Sequence, residues 1–541
     1  MTEMVTPAAG GERKLYARKS SGLIRTIGIF GAMVFGVHCI SLSSSGLIPY
    51  SWVAGVWPGS SIIGVLTVAM FFCLFHAYTY ATIGATMPRS AADYTLGSRV
   101  LSPPLAFASS WTLVIFSAMV AGALIAWIPN TAVPTFMRSM GIVFQNQGMV
   151  NFADWSVTRT GIIVIGTICT IITFVTMILS TRAIVRILEI GFFLGLLAWV
   201  IIYFQLLAPV GTFEAQWDKF MGAGSFASRI PLAEHYGMVI NPNVALMTLA
   251  GLIMGFWVFY GYYIPTFFAG EVKQADKTLL AGSWASLLVT WAIFILGALL
   301  IQRLVPLNWL AAESYLGQNA DFKATGGVAM PWITFWAAVL RPSFPLVLIV
   351  FIAWLYTLIN LAQTYFFYCS RIVFAWSFDR LIPEKVCWIH PTLHSPIIAI
   401  VIITIIAEIG VIDAAMGSVM GAQLNFVFFA VWTQLVPVLA MTLFPYLKPE
   451  LYENSSASVR RSIGKVPLIT IVGGITLAYL IWMIIATFAY PAIGGGIHQQ
   501  QLLILAGFLI SGIVVFYFAR WYRMKNEGID ISWTFQSVPP V

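Results

Sequence analysis

Twelve separate apolar segments, each about as long as a membrane-crossing helix, limit what this chain can fold into more than any other feature. A helix needs about 20 predominantly apolar residues to cross a bilayer. Of the 541 residues, 60% are hydrophobic and 9% are charged, whereas soluble domains carry about 25% charge. The sequence therefore predicts an all-α polytopic membrane protein with 12 transmembrane helices. In chain order these segments, span 1 to span 12, lie near 26–52, 60–84, 104–135, 158–178, 182–207, 244–270, 279–305, 343–377, 396–416, 421–444, 466–490 and 500–522.

The distribution of basic residues predicts the orientation of these spans. An even number of spans puts both termini on one side, and 21 of the 28 Lys and Arg residues lie on that side, against 7 on the other. Short loops rich in Lys and Arg stay in the cytoplasm. We therefore expect a multi-pass protein of the plasma membrane with cytoplasmic N- and C-termini. Because the net charge of +8 lies in these loops, it does not indicate a nucleic-acid partner.

The same segments divide the chain. We expect a cytoplasmic N-terminal tail at 1–22, a core of ten spans at 23–445 and a cytoplasmic linker at 446–465. Spans 11 and 12 follow at 466–522, and a cytoplasmic C-terminal tail closes the chain at 523–541. Within the core, five spans at 23–207 and five at 244–445 run in opposite senses, which makes span 1 equivalent to span 6.

Two polar stretches interrupt these equivalent spans: SLSSSG at 41–46 and YGYYIP at 260–265. A broken helix leaves backbone N–H and C=O groups without partners, which a membrane tolerates only where they line a cavity or hold a ligand. Paired breaks in two halves of a chain point to the substrate site of a secondary transporter. Two alternatives stay open: a break at 36–38, and small residues that serve only close helix packing.

Helix dipoles predict what such a site binds. The second half of span 1 begins near Ser44, so its free N–H groups attract a carboxylate. Carbonyl groups near Leu42, Trp257 and Tyr260 end the other half-helices and suit an ammonium group. A site with an anion end and a cation end, built without charged side chains, fits a zwitterion.

Three further motifs resemble those of the amino acid–polyamine–organocation (APC) permeases. MPRSAADY at 87–94 is similar to the family's Pro-x-x-Gly-Gly-x-Tyr, with alanines in place of both glycines. WVFYGYY at 257–263, followed by GEVKQADKT at 270–278, resembles the family's span 6 and its Glu-x-Lys-Asn-Pro-x-Lys. RIVFAWSFDRLIP at 371–383 resembles the motif that ends span 8. Together these motifs cover spans 1–10.

This resemblance implies a LeuT-like fold, with 5+5 inverted repeats plus two peripheral helices, and transport by alternating access. It implies that backbone N–H groups of Ser45 and Gly46 hold the carboxylate, and that Trp257 occupies the position of a gating tryptophan. Carbonyls of Leu42, Trp257 and Tyr260 would hold the amino group. The full set of expected substrate-binding residues is Leu42, Ser43, Ser44, Ser45, Gly46, Ser117, Phe256, Trp257, Tyr260, Gly261, Tyr263 and Tyr365.

Departures from the family pattern bear on the substrate. The residue after Gly-Tyr in span 6, often acidic in the family, is Tyr263, and spans 3, 6 and 8 lack a carboxylate near their middle. A dication would then leave one buried charge unpaired. We therefore expect an amino acid as substrate, with a bulky apolar or aromatic side chain favoured by the nearby aromatic residues. A polyamine or amine permease is the alternative.

No cofactor or metal site is expected, but a coupling ion, H⁺ or Na⁺, is. Gly195 stands where some members have a Lys that replaces a sodium ion between spans 1 and 8. Asn360 falls on span 8 facing that place, where its amide oxygen could bind Na⁺. Interhelical hydrogen bonding by Asn360 is the alternative.

The intramembrane acids and the competing functions complete these expectations. Glu189 suggests a salt bridge with Arg182 or Arg186, Glu408 a proton-titrating or partner-binding group, and Glu271 a structural pairing with arginines. The serines at 41–45 lack a convincing base, apart from His38, so an enzyme is not expected. A channel or sensor on the same scaffold is an alternative function, and the oligomeric state is open.

Overall fold

The computed structural model describes residues 23–417, 426–490 and 499–536, and almost all of this chain is helical. Ten described helices are long and apolar enough to cross a membrane: Ile62–Thr86, Pro103–Val143, Arg159–Met177, Thr181–Leu206, Ala275–Leu304, Phe344–Phe378, Ile397–Ala415, Val427–Leu447, Leu468–Ala489 and Gln499–Glu527. They correspond to spans 2–5 and 7–12. The first five residues of span 10 as predicted, 421–425, lie outside the described residues, as do the tail at 1–22 and residues 537–541.

The two remaining spans are broken. Span 1 consists of Ile29–Ile40 and Ser44–Val56, bent by 49° at the break, and this pair raises the count of crossings to eleven among the described residues. Span 6 consists of Val244–Ala250 and Leu252–Phe259, followed by single turns at Ile264–Phe267 and Ala269–Glu271. Because span 6 contains no long helix, the total of twelve crossings stays a prediction.

Close helix packing holds the bundle together. Glycines allow spans 3 and 9 to approach until backbones touch: a Cβ added to Gly122 would lie 1.9 Å from the carbonyl oxygen of Ala407. One added to Gly410 would lie 2.2 Å from that of Met119. Small residues serve this purpose in membranes, where apolar surface gains little by moving from lipid to protein.

Shorter helices between spans 5 and 6 and between spans 7 and 8 form one packed unit, the loop-helix lobe. Its helices are Thr212–Met221, Ser225–His235, Leu307–Gln318, Ala320–Ala324 and Ile333–Leu340. Trp217 and Trp309 meet edge to face with centroids 4.9 Å apart, and Arg229 forms an ion pair with Glu313 at 3.3 Å. Burial raises the pKa of Glu313, and the Arg229 guanidinium opposes that shift. The Ser314 hydroxyl donates to the carbonyl of Tyr50, which fixes the lobe to the second half of span 1.

The opposite side of the bundle, the terminal face, carries both described ends of the chain. A short helix, Ala92–Val100, lies here between spans 2 and 3. The last described segment, Ile531–Gln536, packs against it. Two strands of two residues each, Ser462–Ile463 and Val466–Pro467, pair antiparallel between spans 10 and 11.

Candidate functional site

The break in span 1 has a defined local cause. The first half-helix ends at Ile40, and Ser41 adopts a left-handed φ of 69°. Its hydroxyl oxygen accepts a hydrogen bond from the Ser44 N–H at 3.0 Å, and so caps the start of the second half-helix. The predicted start near Ser44 is confirmed, whereas the alternative break at 36–38 is wrong because these residues lie within Ile29–Ile40.

Two N–H groups at this new helix start remain without a protein acceptor. Among the described residues, neither Ser45 nor Gly46 donates its N–H to a backbone or side-chain oxygen. Both residues are buried, and Ser43 is occupied locally, since its hydroxyl pairs with that of Ser41 at 3.0 Å. Buried N–H groups without partners are rare in proteins, so this pair is a candidate anion-binding group.

Trp199 of span 5 was missed by the sequence analysis, although it controls the geometry of the break. Its indole Nε1–H donates to the carbonyl oxygen of Leu42 at 2.9 Å. A Cβ added to Gly46 would lie 2.6 Å from the Trp199 ring. The Leu42 carbonyl therefore already accepts one hydrogen bond, and the indole ring fills the space beside Gly46. The predicted role of Leu42 in holding an amino group stays a prediction. A Trp in the middle of a span that faces a broken helix was the signal available in the sequence.

Span 6 breaks directly after its second helix, at the place predicted from the sequence. Leu252–Phe259 ends before Tyr260, whose N–H donates to the Trp257 carbonyl at 3.0 Å, and Gly261 has a φ of 126°. The Trp257 carbonyl is therefore already bonded within its own turn. A Cβ on Gly261 would lie 2.6 Å from the backbone of Cys39. The two broken spans thus touch directly at their breaks.

Aromatic residues predicted for the site form one buried cluster. Trp257 stacks on Tyr260 with centroids 5.5 Å apart, and Tyr260 meets Tyr263 edge to face at the same distance. Phe256 contacts Tyr260 at 6.1 Å. Tyr365 contacts Tyr368, a further buried tyrosine of span 8. Since these side chains are at most 7% exposed, the structure is closed around the breaks.

Ser117 of span 3 is buried, and its hydroxyl has no hydrogen-bond partner within the described chain. No described hydrogen bond or ring contact joins it to either break. The structure therefore leaves its predicted role in binding without support.

The region beside Leu42 differs from the prediction for a coupling ion. A Cβ on Gly195 would lie 2.8 Å from the Leu42 side chain and 3.2 Å from Thr357 of span 8. Thr357, rather than Asn360, therefore faces Gly195. The Asn360 amide nitrogen donates to Gln363 of the same helix at 2.8 Å, and Gln363 in turn donates to Thr176 of span 4. The Asn360 Oδ1, the atom predicted to bind Na⁺, lies buried beside Gly191 without a hydrogen-bond partner among the described residues. Both expected roles of Asn360 therefore stay predictions.

Near the terminal face, a buried ion pair closes the space below the breaks. Arg371 Nε donates to Glu271 Oε1 at 2.8 Å, and both side chains are at most 1% exposed. The Thr181 hydroxyl donates to the same carboxylate at 2.8 Å, and the N–H groups of Thr26 and Ile27 donate to the Glu271 carbonyl. The predicted structural pairing of Glu271 is confirmed, and it connects spans 1, 5, 6 and 8.

A second ion pair on this face joins Arg99 to Asp379 at 2.9 Å, with the Tyr94 hydroxyl bonded to the same carboxylate. The Arg99 guanidinium also lies 5.0 Å from the centre of the Phe535 ring. Nearby Asp93 is buried, and its Oδ1 lacks a partner within the described chain. Burial raises the pKa of Asp93 to about 7.

The remaining intramembrane acids behave differently from one another. No described ion pair involves Glu189, so the predicted salt bridge with Arg182 or Arg186 is wrong. Glu408 accepts a hydrogen bond from Thr167 of span 4 at 2.5 Å, and its second oxygen is buried without a partner in the described chain. A proton or a polar partner would satisfy that oxygen.

Two of the membrane-crossing spans break side by side, next to the buried N–H groups of Ser45 and Gly46. This arrangement defines a polytopic membrane transporter. A family model for amino acid permeases matches residues 22–516. The chain therefore belongs to the amino acid permease family.

Similarity to individual proteins is lower but extends over most of the chain. The human cystine/glutamate transporter is 23% identical over 536 residues, 96% of this chain and 90% of that protein. The branched-chain amino acid permease BcaP of Bacillus subtilis (strain 168) is 23% identical over 380 residues, 70% of this chain and 72% of that protein. The methylthioribose transporter of the same organism is 22% identical over 381 residues, with the same two shares.

Proposed function

We propose that this protein is a secondary active amino acid transporter that works by alternating access, and that it is not an enzyme. The observation that carries the proposal is the pair of buried N–H groups of Ser45 and Gly46, which have no acceptor among the described residues. They begin a half-helix, where the helix dipole favours an anion. A substrate carboxylate satisfies both groups without any cationic side chain.

The amino group of the substrate needs oxygen acceptors close to that carboxylate site. The Tyr260 carbonyl follows the end of the span 6 helix and is the remaining candidate, because the carbonyls of Leu42 and Trp257 already accept hydrogen bonds. Each carbonyl has a second lone pair, so an ammonium group shared with Trp199 at Leu42 is also consistent with this arrangement.

The direct test removes one N–H without removing a side-chain contact. Proline lacks this donor and is tolerated in the first turn of a helix, so Ser45→Pro should abolish saturable uptake of labelled amino acids into proteoliposomes. Ser45→Ala keeps the N–H and is the matched control, with near wild-type uptake. Equal uptake by both variants would rule out the backbone N–H as a ligand.

Uptake assays in the same proteoliposomes distinguish the alternative functions. A polyamine or amine permease takes up labelled putrescine rather than amino acids. A sensor binds without flux, and a channel shows flux without saturation or counterflow. The absence of a carboxylate among the described residues at the breaks favours amino acids over polyamines.

We further propose that the protein lies in the plasma membrane with its terminal face towards the cytoplasm, since basic residues concentrate on that side. The coupling ion is H⁺ or Na⁺. Uptake measured with Na⁺ replaced by choline, and then with an imposed pH difference, distinguishes the two ions.

A further inference from the structure

A chain of buried hydrogen bonds runs behind the span 6 break and joins three spans. His76 of span 2 contacts the Tyr262 hydroxyl through Nδ1 at 2.8 Å and the Gln434 Oε1 through Nε2 at 2.8 Å. Gln434 of span 10 then donates its amide N–H to the Tyr263 hydroxyl oxygen at 2.6 Å. All four side chains are at most 1% exposed. Tyr263 is a residue predicted for the binding site, and His76 was expected to be a hydrogen-bonded packing residue, with a proton relay as the alternative. No role was predicted for Gln434.

With the Gln434 amide oriented as in this structure, these contacts set the direction of the protons along the chain. The amide oxygen of Gln434 only accepts, so His76 Nε2 carries the proton, and Nδ1 accepts from the Tyr262 hydroxyl. Gln434 donates to the oxygen of Tyr263, so the hydroxyl proton of Tyr263 points away from Gln434. The Tyr263 hydroxyl can therefore donate to a group other than Gln434.

Two phenol groups close to Tyr263 have hydroxyls without a well-formed hydrogen bond. The hydroxyls of Tyr260 and Tyr368 are buried and have no hydrogen-bond partner of good geometry within the described chain. The Tyr260 ring meets the Tyr263 ring with centroids 5.5 Å apart, and the Tyr368 ring stacks on Phe267, next to the break, with centroids 5.2 Å apart. A buried polar atom without a hydrogen-bond partner is unfavourable, so two of them in one place indicate a polar ligand.

The groups around His76 are neutral hydrogen-bonding or aromatic side chains. On span 2 these are Cys73 and Tyr80, on span 6 Phe256, Tyr262 and Tyr263, on span 10 Gln434, and on span 11 Tyr479. No described ion pair involves any of them. A charged substrate side chain in this place would lack a counter-charge and would be strongly disfavoured.

We propose that Tyr260, Tyr263 and Tyr368 form the subsite for the substrate side chain, and that it selects a neutral side chain carrying an oxygen acceptor, such as an amide. Gln434 and His76 are positioning residues that hold Tyr263 as a donor. This inference rests on the proposed amino acid transport, and it replaces the bulky apolar side chain expected from the aromatic residues alone.

Asparagine and leucine are suitable probes because their side chains have nearly the same shape but only asparagine has an acceptor. The wild type should take up L-asparagine more efficiently than L-leucine, by about tenfold in kcat/KM, which corresponds to about one hydrogen bond. Tyr263→Phe should bring that ratio to about one, because the KM for asparagine should rise much more than the KM for leucine.

Substitutions of the two positioning residues should lower the asparagine-to-leucine ratio less than Tyr263→Phe does. Gln434→Met keeps the shape but releases Tyr263, so the ratio should fall about threefold, as it should in His76→Phe. Tyr203→Phe is the matched control: it removes a phenol bonded to the Ile293 carbonyl, outside this network, and should keep the wild-type ratio.

Two outcomes overturn the subsite: a wild type that prefers leucine, and a Tyr263→Phe variant that lowers both uptakes equally. Gln434→Met and His76→Phe variants that both keep the wild-type ratio would overturn the positioning role of these two residues and confine the selection to the phenols. If the wild type takes up none of the twenty amino acids, the proposed function itself fails. That result differs from uptake with an unchanged ratio, which removes only the side-chain subsite.

Discussion

The guanidinium of Arg371 bonds both oxygens of the Glu271 carboxylate, with Nε 2.8 Å from Oε1 and Nη2 3.2 Å from Oε2. The same guanidinium lies 3.7 Å from the centre of the Phe367 ring. One ion pair therefore ties the end of span 6 to span 8, directly below the broken segments. We expect this pair to separate when the terminal face opens in the proposed alternating-access cycle.

Removal of one partner of this pair should be far more damaging than removal of both. Arg371→Gln leaves an uncompensated buried carboxylate and should cost about 3–5 kcal/mol of stability, whereas the double variant with Glu271→Gln should recover most of that loss. A double-mutant cycle on melting temperatures in detergent measures this coupling. Additive losses in the cycle would contradict a coupled pair.

Gly261→Ala should abolish transport and destabilise the protein, because the residue has a φ of 126° and its Cβ would overlap the backbone of Cys39. Left-handed strain and the overlap together should cost more than about 1–3 kcal/mol. Gly474→Ala in span 11, where an added Cβ meets nothing within 4 Å, is the control and should melt like the wild type. Uptake assays and thermal melts of both variants check the expectation, and an active Gly261→Ala variant would refute it.

Trp199→Phe should raise the KM for substrate without a large change in kcat. The substitution keeps an aromatic ring against Gly46 but loses the hydrogen bond to the Leu42 carbonyl, worth about 1 kcal/mol or about fivefold in KM. Trp284→Phe removes a comparable indole bond to the Leu74 carbonyl on an exposed side chain, and should leave KM unchanged. Equal effects from the two substitutions would remove Trp199 from the site.

The stability of the protein should fall as the pH rises from 5 to 8, through the ionisation of Asp93. Burial raises its pKa from 3.8 to about 7, so the folded state holds a proton that the unfolded state releases near pH 4. Its contribution is therefore complete below pH 4 and is lost as the pH passes 7. Asp93→Asn should flatten this part of the melting-temperature profile, and an unchanged slope would contradict the assignment.

Asp218 is a control for that experiment, because its pKa is shifted in the opposite direction from that of Asp93. The N–H of Phe226 and other donors in the loop-helix lobe lower the pKa of Asp218. Its contribution is lost as the pH falls below its ordinary pKa near 4, so Asp218→Asn should leave the profile between pH 5 and 8 unchanged.

The sequence alone predicts where the spans lie, where both breaks occur and that Glu271 has a structural role. These features are predictable because apolar length and helix-breaking residues are local signals. It could not place Trp199, whose partner lies 157 positions away, nor the link from His76 to Gln434, which spans 358 positions. The shift from Asn360 to Thr357 beside Gly195 is smaller, about one helical turn. Register between neighbouring helices depends on tertiary packing, which periodicity alone does not encode.

The backbone contacts at Gly122 and Gly410 also limit how this transporter can move. With each glycine set against a carbonyl of the facing helix, spans 3 and 9 interlock at two levels and cannot slide past one another. They should move together as one rigid body. The rotation that exposes the substrate to either side should then take place at the surfaces between this rigid body and the broken helices. Ion pairs and hydroxyl groups, rather than interlocked backbones, make the contacts at those surfaces.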